Sequence, residues 1–162
     1  MTLSSIADIM IRTASNDDQE RITALVFNVL AEYGLQGDLE STDADLQDIE
    51  GNYLSTGGMF EVIEDGQGNL LGSVGLYPLD RETCELRKMY FTARIRGRGL
   101  GRYILERTID QARKLGFKRI VLETSSRLEA ANRLYTKFGF RLVPSDHLAS
   151  RCDQAYSLDI SQ

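Results

Sequence analysis

Residues 96 to 102 read Arg96-Gly97-Arg98-Gly99-Leu100-Gly101-Arg102, three glycines and three arginines in seven positions. Glycine opens backbone conformations closed to other residues, so successive N–H groups can converge on one anion, and flanking guanidinium groups add positive charge. If a helix begins there, its positive end adds to the attraction. The turn is therefore a candidate phosphate cradle, although the same glycines also serve a chain that only turns a tight corner. Two phosphate motifs are absent by the letters. No G-x-x-x-x-G-K-[ST] occurs, and a G-x-G-x-x-G read from Gly97 requires glycine where Arg102 stands.

Other chemistries find few residues to work with. One histidine, His147, and two cysteines, Cys84 and Cys152, leave too few soft ligands for a usual zinc cage, so no metal site is expected. A Ser-His-Asp triad would rest on His147 alone. Neither cysteine has a histidine neighbour in sequence, and both read as small buried apolar residues.

The cradle sits inside a charge island. The 162 residues carry a formal net charge of -5, with three basic and seventeen acidic side chains before residue 87 and eleven basic against two acidic over residues 87–119. A block of +9 in an acidic protein suggests either a local anion site or a solvated basic helix face. It lacks the interleaved aromatics of a base-stacking surface, which argues against a nucleic-acid partner. The stretch Met1 to Met10 shows no secretory leader. The longest apolar run, Ile22 to Ala31, is about half of a membrane span of ~20 residues. A cytoplasmic protein without membrane contact is expected, folded as a single domain over residues 1–162.

The elements that must position the turn follow from periodicity. Ile9 to Thr13 alternates as a strand, and Ser15 with Asp17, Asp18 and Glu20 opens a helix burying Ile22, Leu25, Val26, Val29 and Leu30. A second helix is expected from Ser41 or Thr42, with Leu46, Ile49 and Tyr53 on one face. Met59 to Ile63, Leu70 to Tyr77 and Cys84 to Phe91 read as an antiparallel meander, in which alternation sets residues 85, 87, 89 and 91 on one side of the third strand. A helix follows the glycine turn to Leu115, and Arg119 to Thr124 forms a strand parallel to the one before it. Asp153 to Ile160 is the last strand. The class is α+β, a mixed and mostly antiparallel twisted sheet with helices on both faces.

Arg96-Gly97-Arg98-Gly99-Leu100-Gly101 between a strand and a helix, together with Leu86-Arg87-Lys88-Met89-Tyr90-Phe91 and Ala131-x-x-Leu134-Tyr135-x-x-Phe138-Gly139-Phe140, resembles the GNAT superfamily of acyl-coenzyme A dependent N-acetyltransferases, whose signature is [R/Q]-x-x-G-x-[G/A]. The resemblance is close over residues 84 to 143, and the order of elements along the whole chain is consistent with it.

It implies acetyl-CoA as cosubstrate, with its pyrophosphate on the backbone amides of Gly97, Arg98, Gly99, Leu100, Gly101 and Arg102 and the Arg96 side chain adding charge around it. Its pantetheine arm would run along Met89, Tyr90 and Phe91, and a main-chain N–H near Met89 would polarise the thioester carbonyl. Tyr135 takes the place of the tyrosine that protonates the leaving thiolate, and Glu85 that of a general base; Glu85 paired with Arg87 or Arg81 is the other reading. Where many members carry a pantetheine-binding asparagine this chain has Leu128, and Asn132, one turn on, is the substitute or a plain surface residue. Ala93 and Arg94 replace a frequent proline and acidic residue before the turn. The implied reaction is acetyl transfer to a primary amine of a small molecule or peptide. The alternatives are a longer acyl group or a non-catalytic acyl-CoA sensor of the same fold. Tyr33, Tyr53, Tyr77, Asp146 and Asp153 are candidates for lining the acceptor groove, and the family resemblance allows a homodimer.

Overall fold

A computed structural model describes residues 8–146 and 148–161; most of the Met1 to Met10 stretch, through Ala7, lies outside the described residues, as do His147 and Gln162. The chain runs β1 (Ile9–Thr13), α1 (Gln19–Glu32), β2 (Met59–Asp65), β3 (Leu70–Pro78), β4 (Thr83–Phe91), α2 (Leu100–Lys114), β5 (Arg119–Thr124), α3 (Glu129–Lys137), β6 (Arg141–Val143) and β7 (Gln154–Asp159). The seven strands form one sheet in the order β1-β2-β3-β4-β5-β7-β6. Among the described residues only β4 and β5 are parallel, and α2 carries the chain between them. No helix of the described residues is long and apolar enough to cross a membrane.

Two apolar layers cover the sheet. On one face α1 presents Ile22, Val26 and Leu30 to Phe60 and Val62 of β2. On the other, Ile104, Leu105, Ile109 and Ala112 of α2 pack on Leu76, Leu86, Ile120 and Leu122. The helical spacing of these residues is why each helix has one buried stripe. Ser15 caps the entry to α1 in a reciprocal capping box with Asp18.

Two expectations need correction. Residues 41–54 do not form one helix: a 3₁₀ turn at Ala44–Gln47 and a π-helical turn at Glu50–Leu54 take its place. Leu46, Ile49 and Tyr53 are nevertheless fully buried, so the apolar positions hold while the backbone between them kinks. Alternation along β4 also fails. Ser73 pairs with Tyr90 and Gly75 with Arg87, so Lys88 and Met89 together face Val74 in a β-bulge. Lys88 takes the left-handed φ of 58°, and Ser73 Oγ donates to its carbonyl at 2.6 Å. One extra residue flips every later side chain, so Met89 and Phe91 pack with Cys84 and Leu86, on the opposite face from Glu85 and Arg87.

Candidate active site

The parallel ladder between β4 and β5 is short. Thr83 pairs with Arg119, Cys84 with Ile120 and Glu85 with Val121, and the two strands then part company. Among the described residues, Leu86 to Phe91 of β4 pair with no strand but β3, and Leu122 to Thr124 with no strand but β7. Unpaired strand edges offer rows of N–H and C=O groups to an extended ligand. A cleft of about 740 Å³ opens at this split, lined among others by Tyr33, Tyr77, Glu85, Met89, Glu123 and Tyr135.

The glycine turn closes one end of the cleft, which Arg96, Gly97 and Gly101 line. Gly97 and Gly99 have φ of 77° and 79°, and a Cβ on either would touch nothing, so the backbone conformation and not crowding demands glycine there. Gly99 caps α2, and the first helical bond joins Tyr103 N–H to the Gly99 carbonyl. The amides of Leu100, Gly101 and Arg102 precede that bond and have no carbonyl one turn back.

Tyr135 of α3 is 6% exposed, packs against Phe140 and Tyr156, and lines the cleft. Burial, helped by Tyr90, pushes its phenol well above its usual range, so the hydroxyl keeps its proton at neutral pH.

Beyond the bulge the cleft holds a network of charges. Lys88, itself buried, places Nζ 3.1 Å from Asp43 and 3.2 Å from Asp45. Arg151 grips Asp43 with both terminal nitrogens, at 2.6 and 2.7 Å. Burial alone would raise the Asp43 carboxyl, but the Arg151 hydrogen bonds and the Lys88 charge prevail and hold it at about 2. Tyr53 donates to Asp45, and Arg87 pairs with Glu85 while stacking over the Tyr77 ring at 3.9 Å. Burial raises Glu85, partly offset by Arg87 and reinforced by the nearby Glu123. Burial also pushes Cys84 up to about 12 and Cys152 up to about 11, so neither is a thiolate at neutral pH.

A family profile described as "Acetyltransferase (GNAT) family" matches residues 24–140, a span that contains the split, the glycine turn and Tyr135. The chain belongs to the GNAT acetyltransferase family. It is 38% identical over 139 residues to the uncharacterized N-acetyltransferase YjgM of Escherichia coli (strain K12), covering 83% of each chain. A GNAT-family acetyltransferase from Staphylococcus aureus Mu50 shares the fold with a TM-score of 0.87 at 24% identity, over 94% of this chain and 99% of that one. A phosphinothricin acetyltransferase from Sinorhizobium meliloti, solved in complex with acetyl-CoA, matches with a TM-score of 0.72 at 15% identity, over 95% and 89%. As a GNAT protein the chain is an N-acyltransferase.

Several residues expected to serve in the GNAT site stand together at the cleft: Glu85, Met89, Tyr90, Phe91 and Tyr135 line it with the glycine turn. Others do not. The Arg96 guanidinium forks onto Glu32 at 2.8 and 2.9 Å and donates from Nε to the Phe91 carbonyl, so it ties α1 to the end of β4 and is not spare charge for an anion. Asn132 accepts from Thr124 Oγ1 and donates to the Ser125 carbonyl, both at 2.9 Å; it fastens α3 to the end of β5 and lies outside the lining, where Leu128 stands instead. The Leu100 side chain is core, while Arg98, Gly99 and Arg102 are exposed beyond the lining. Of the acceptor candidates, Tyr33 and Tyr77 line the cleft; Tyr53 is fully buried, Asp153 is bound to Ser126 and Asp146 is not in the wall. Sequence reasoning missed the Asp43–Lys88–Arg151 cluster and Glu123. Only Glu123 left a trace, since Ile120 and Leu122 inward imply Val121 and Glu123 on the other face.

Proposed function

We propose that this single-domain GNAT protein moves an acetyl group from acetyl-CoA to a primary amine in a ternary complex, without an acyl-enzyme. The observation that carries the reading is the parting of β4 from β5 after Glu85 and Val121, between a positive-φ glycine turn and the protonated Tyr135. The relative solved with acetyl-CoA supports the choice of cosubstrate.

The amides of Gly97 to Arg102 hold the pyrophosphate at the helix N-terminus. The pantetheine arm lies along Met89 to Phe91 as an added strand. The bulge takes the Met89 backbone out of the regular β3–β4 ladder, and its N–H serves the thioester oxygen as negative charge develops. The amine nitrogen attacks the carbonyl carbon, a C–N bond forms and the C–S bond breaks. Tyr135 gives its proton to the departing thiolate, and the proton shed by the amine goes to Glu85, directly or through a water. A carboxylate with a raised pKa is the better base for that task.

Thiol release from acetyl-CoA, screened against amino acids, polyamines, aminoglycosides and peptide N-termini, tests the reading. It predicts release with at least one amine class and none without amine; silence across the panel would overturn it.

A further inference from the structure

The charged side chains that line the cleft among the described residues are matched one to another with a single exception. Arg87 is bound to Glu85, Lys88 lies between Asp43 and Asp45, Arg151 is forked on Asp43, and Arg96 is forked on Glu32. Glu123 lines the same cleft, and its hydrogen-bond partner is a backbone group: Oε1 accepts the Ala149 N–H at 2.8 Å. Among the described residues no cation stands within ion-pair distance of it.

Its place in the sheet is specific. Glu85 and Val121 are partners in a parallel ladder and so share a face, and Glu123, two residues on, shares it too. Glu123 therefore stands on the β5 bank of the split, one step beyond Glu85 on the β4 bank, and its charge is felt at Glu85. Across the network, Asp43, Asp45, Glu85 and Glu123 face Arg87, Lys88 and Arg151, one negative charge in excess, and the excess rests on Glu123.

We infer that Glu123 receives the acceptor as its ammonium ion, and that the acceptor is an amine with no carboxylate beside the reacting nitrogen. The inference rests on the acetyl-transfer reading of the same cleft. A lone carboxylate in a partly enclosed site attracts a cation and strengthens as water leaves. An amino acid's α-carboxylate would enter beside Glu123 and Glu85 and find each guanidinium already engaged by a carboxylate. Freeing Arg151 or Lys88 for it would strand buried Asp43. An alkylamine, aralkylamine or aminoalkyl chain meets no such penalty.

Matched pairs that differ only by the carboxylate isolate this property: 2-phenylethylamine against phenylalanine, isoamylamine against leucine, and butylamine against norvaline. With the unaltered protein and saturating acetyl-CoA, the decarboxylated member should have the higher kcat/KM by about tenfold or more. Glu123→Gln should raise KM for that amine by about tenfold with kcat little changed, while the acetyl-CoA Kd, read by calorimetry, stays as it was. Amino acids used as well as or better than their amines, or Glu123→Gln with an unaltered KM, would overturn the inference. No transfer to any of the six, with acetyl-CoA still bound, would overturn it as well and leave coenzyme binding standing. Failure to bind acetyl-CoA would instead sink the reading beneath it.

Discussion

Glu85 and Val121 are the last partners in the parallel β4–β5 ladder, and the cleft begins where their pairing ends. The same backbone position thus supplies a carboxylate and the opening it faces. Chemistry is expected to depend on residues either side of that point, and each dependence can be measured.

Tyr135→Phe removes one hydroxyl and keeps the ring packed on Phe140 and Tyr156. A general acid contributes about 10² to 10⁴ in rate. The variant should lose at least about a hundredfold in kcat, with the acetyl-CoA Kd and the melting temperature little changed; thiol release and calorimetry give the two readouts.

The pH profile should report Glu85. Burial places its pKa above the ordinary value, and the protonated carboxyl cannot accept the amine's proton. The rate should therefore fall as pH drops through that raised pKa, in a limb above the usual glutamate value of about 4.3. Glu85→Gln should lower the rate and flatten the limb.

Asp43 bridges residues far apart in sequence, Lys88 and Arg151. Asp43→Asn leaves two buried cations short of a partner, which costs about 3–5 kcal/mol. For a chain of this size that is a drop of about 10 °C in Tm, read by calorimetry or circular dichroism. The Asp43 pKa of about 2 lies below its unfolded value near 3.8, so its stabilisation is complete above about pH 4 and is lost as pH falls toward 2. Acid unfolding of the unaltered protein should steepen in that window, and Asp43→Asn should remove that contribution.

How far the sequence anticipates this arrangement depends on the distance over which each residue acts. Local rules suffice for α1, for the β2–β4 meander and for the glycine turn, because caps, alternation and turn residues are written within a few positions. The β4 bulge escapes them. Nothing in Leu86-Arg87-Lys88-Met89 announces an extra residue, and what holds it is the Ser73 hydroxyl from another strand. The Asp43–Arg151 fork spans 108 positions, and Arg96 to Glu32 spans 64, so Arg96, which reads as charge beside the coenzyme, and Asp43 and Arg151, which carry no signal in the sequence, are consumed by partners no spacing rule connects. Asn132 fails for a related reason: a helix face predicts its direction and not the Thr124 hydroxyl that claims it.

The glycine turn offers a further test. Gly99→Ala puts a side chain at φ 79°, where it meets no neighbour and pays only backbone strain, about 1–2 kcal/mol. Acetyl-CoA affinity should fall by about tenfold as the amides shift, with stability read separately by melting. Gly101→Ala should disturb less, since its Cβ would lie 3.6 Å from Leu134 and 3.7 Å from Phe91 in ordinary contact.

The most direct test of the β4–β5 split as the acyl-CoA site is a crystal structure of the acetyl-CoA complex. It should show pyrophosphate on the amides of residues 97–102, pantetheine between the parted strands, and the thioester oxygen about 3 Å from the Met89 N–H. A coenzyme bound away from the split, or a thioester out of reach of both Met89 and Tyr135, would contradict the account.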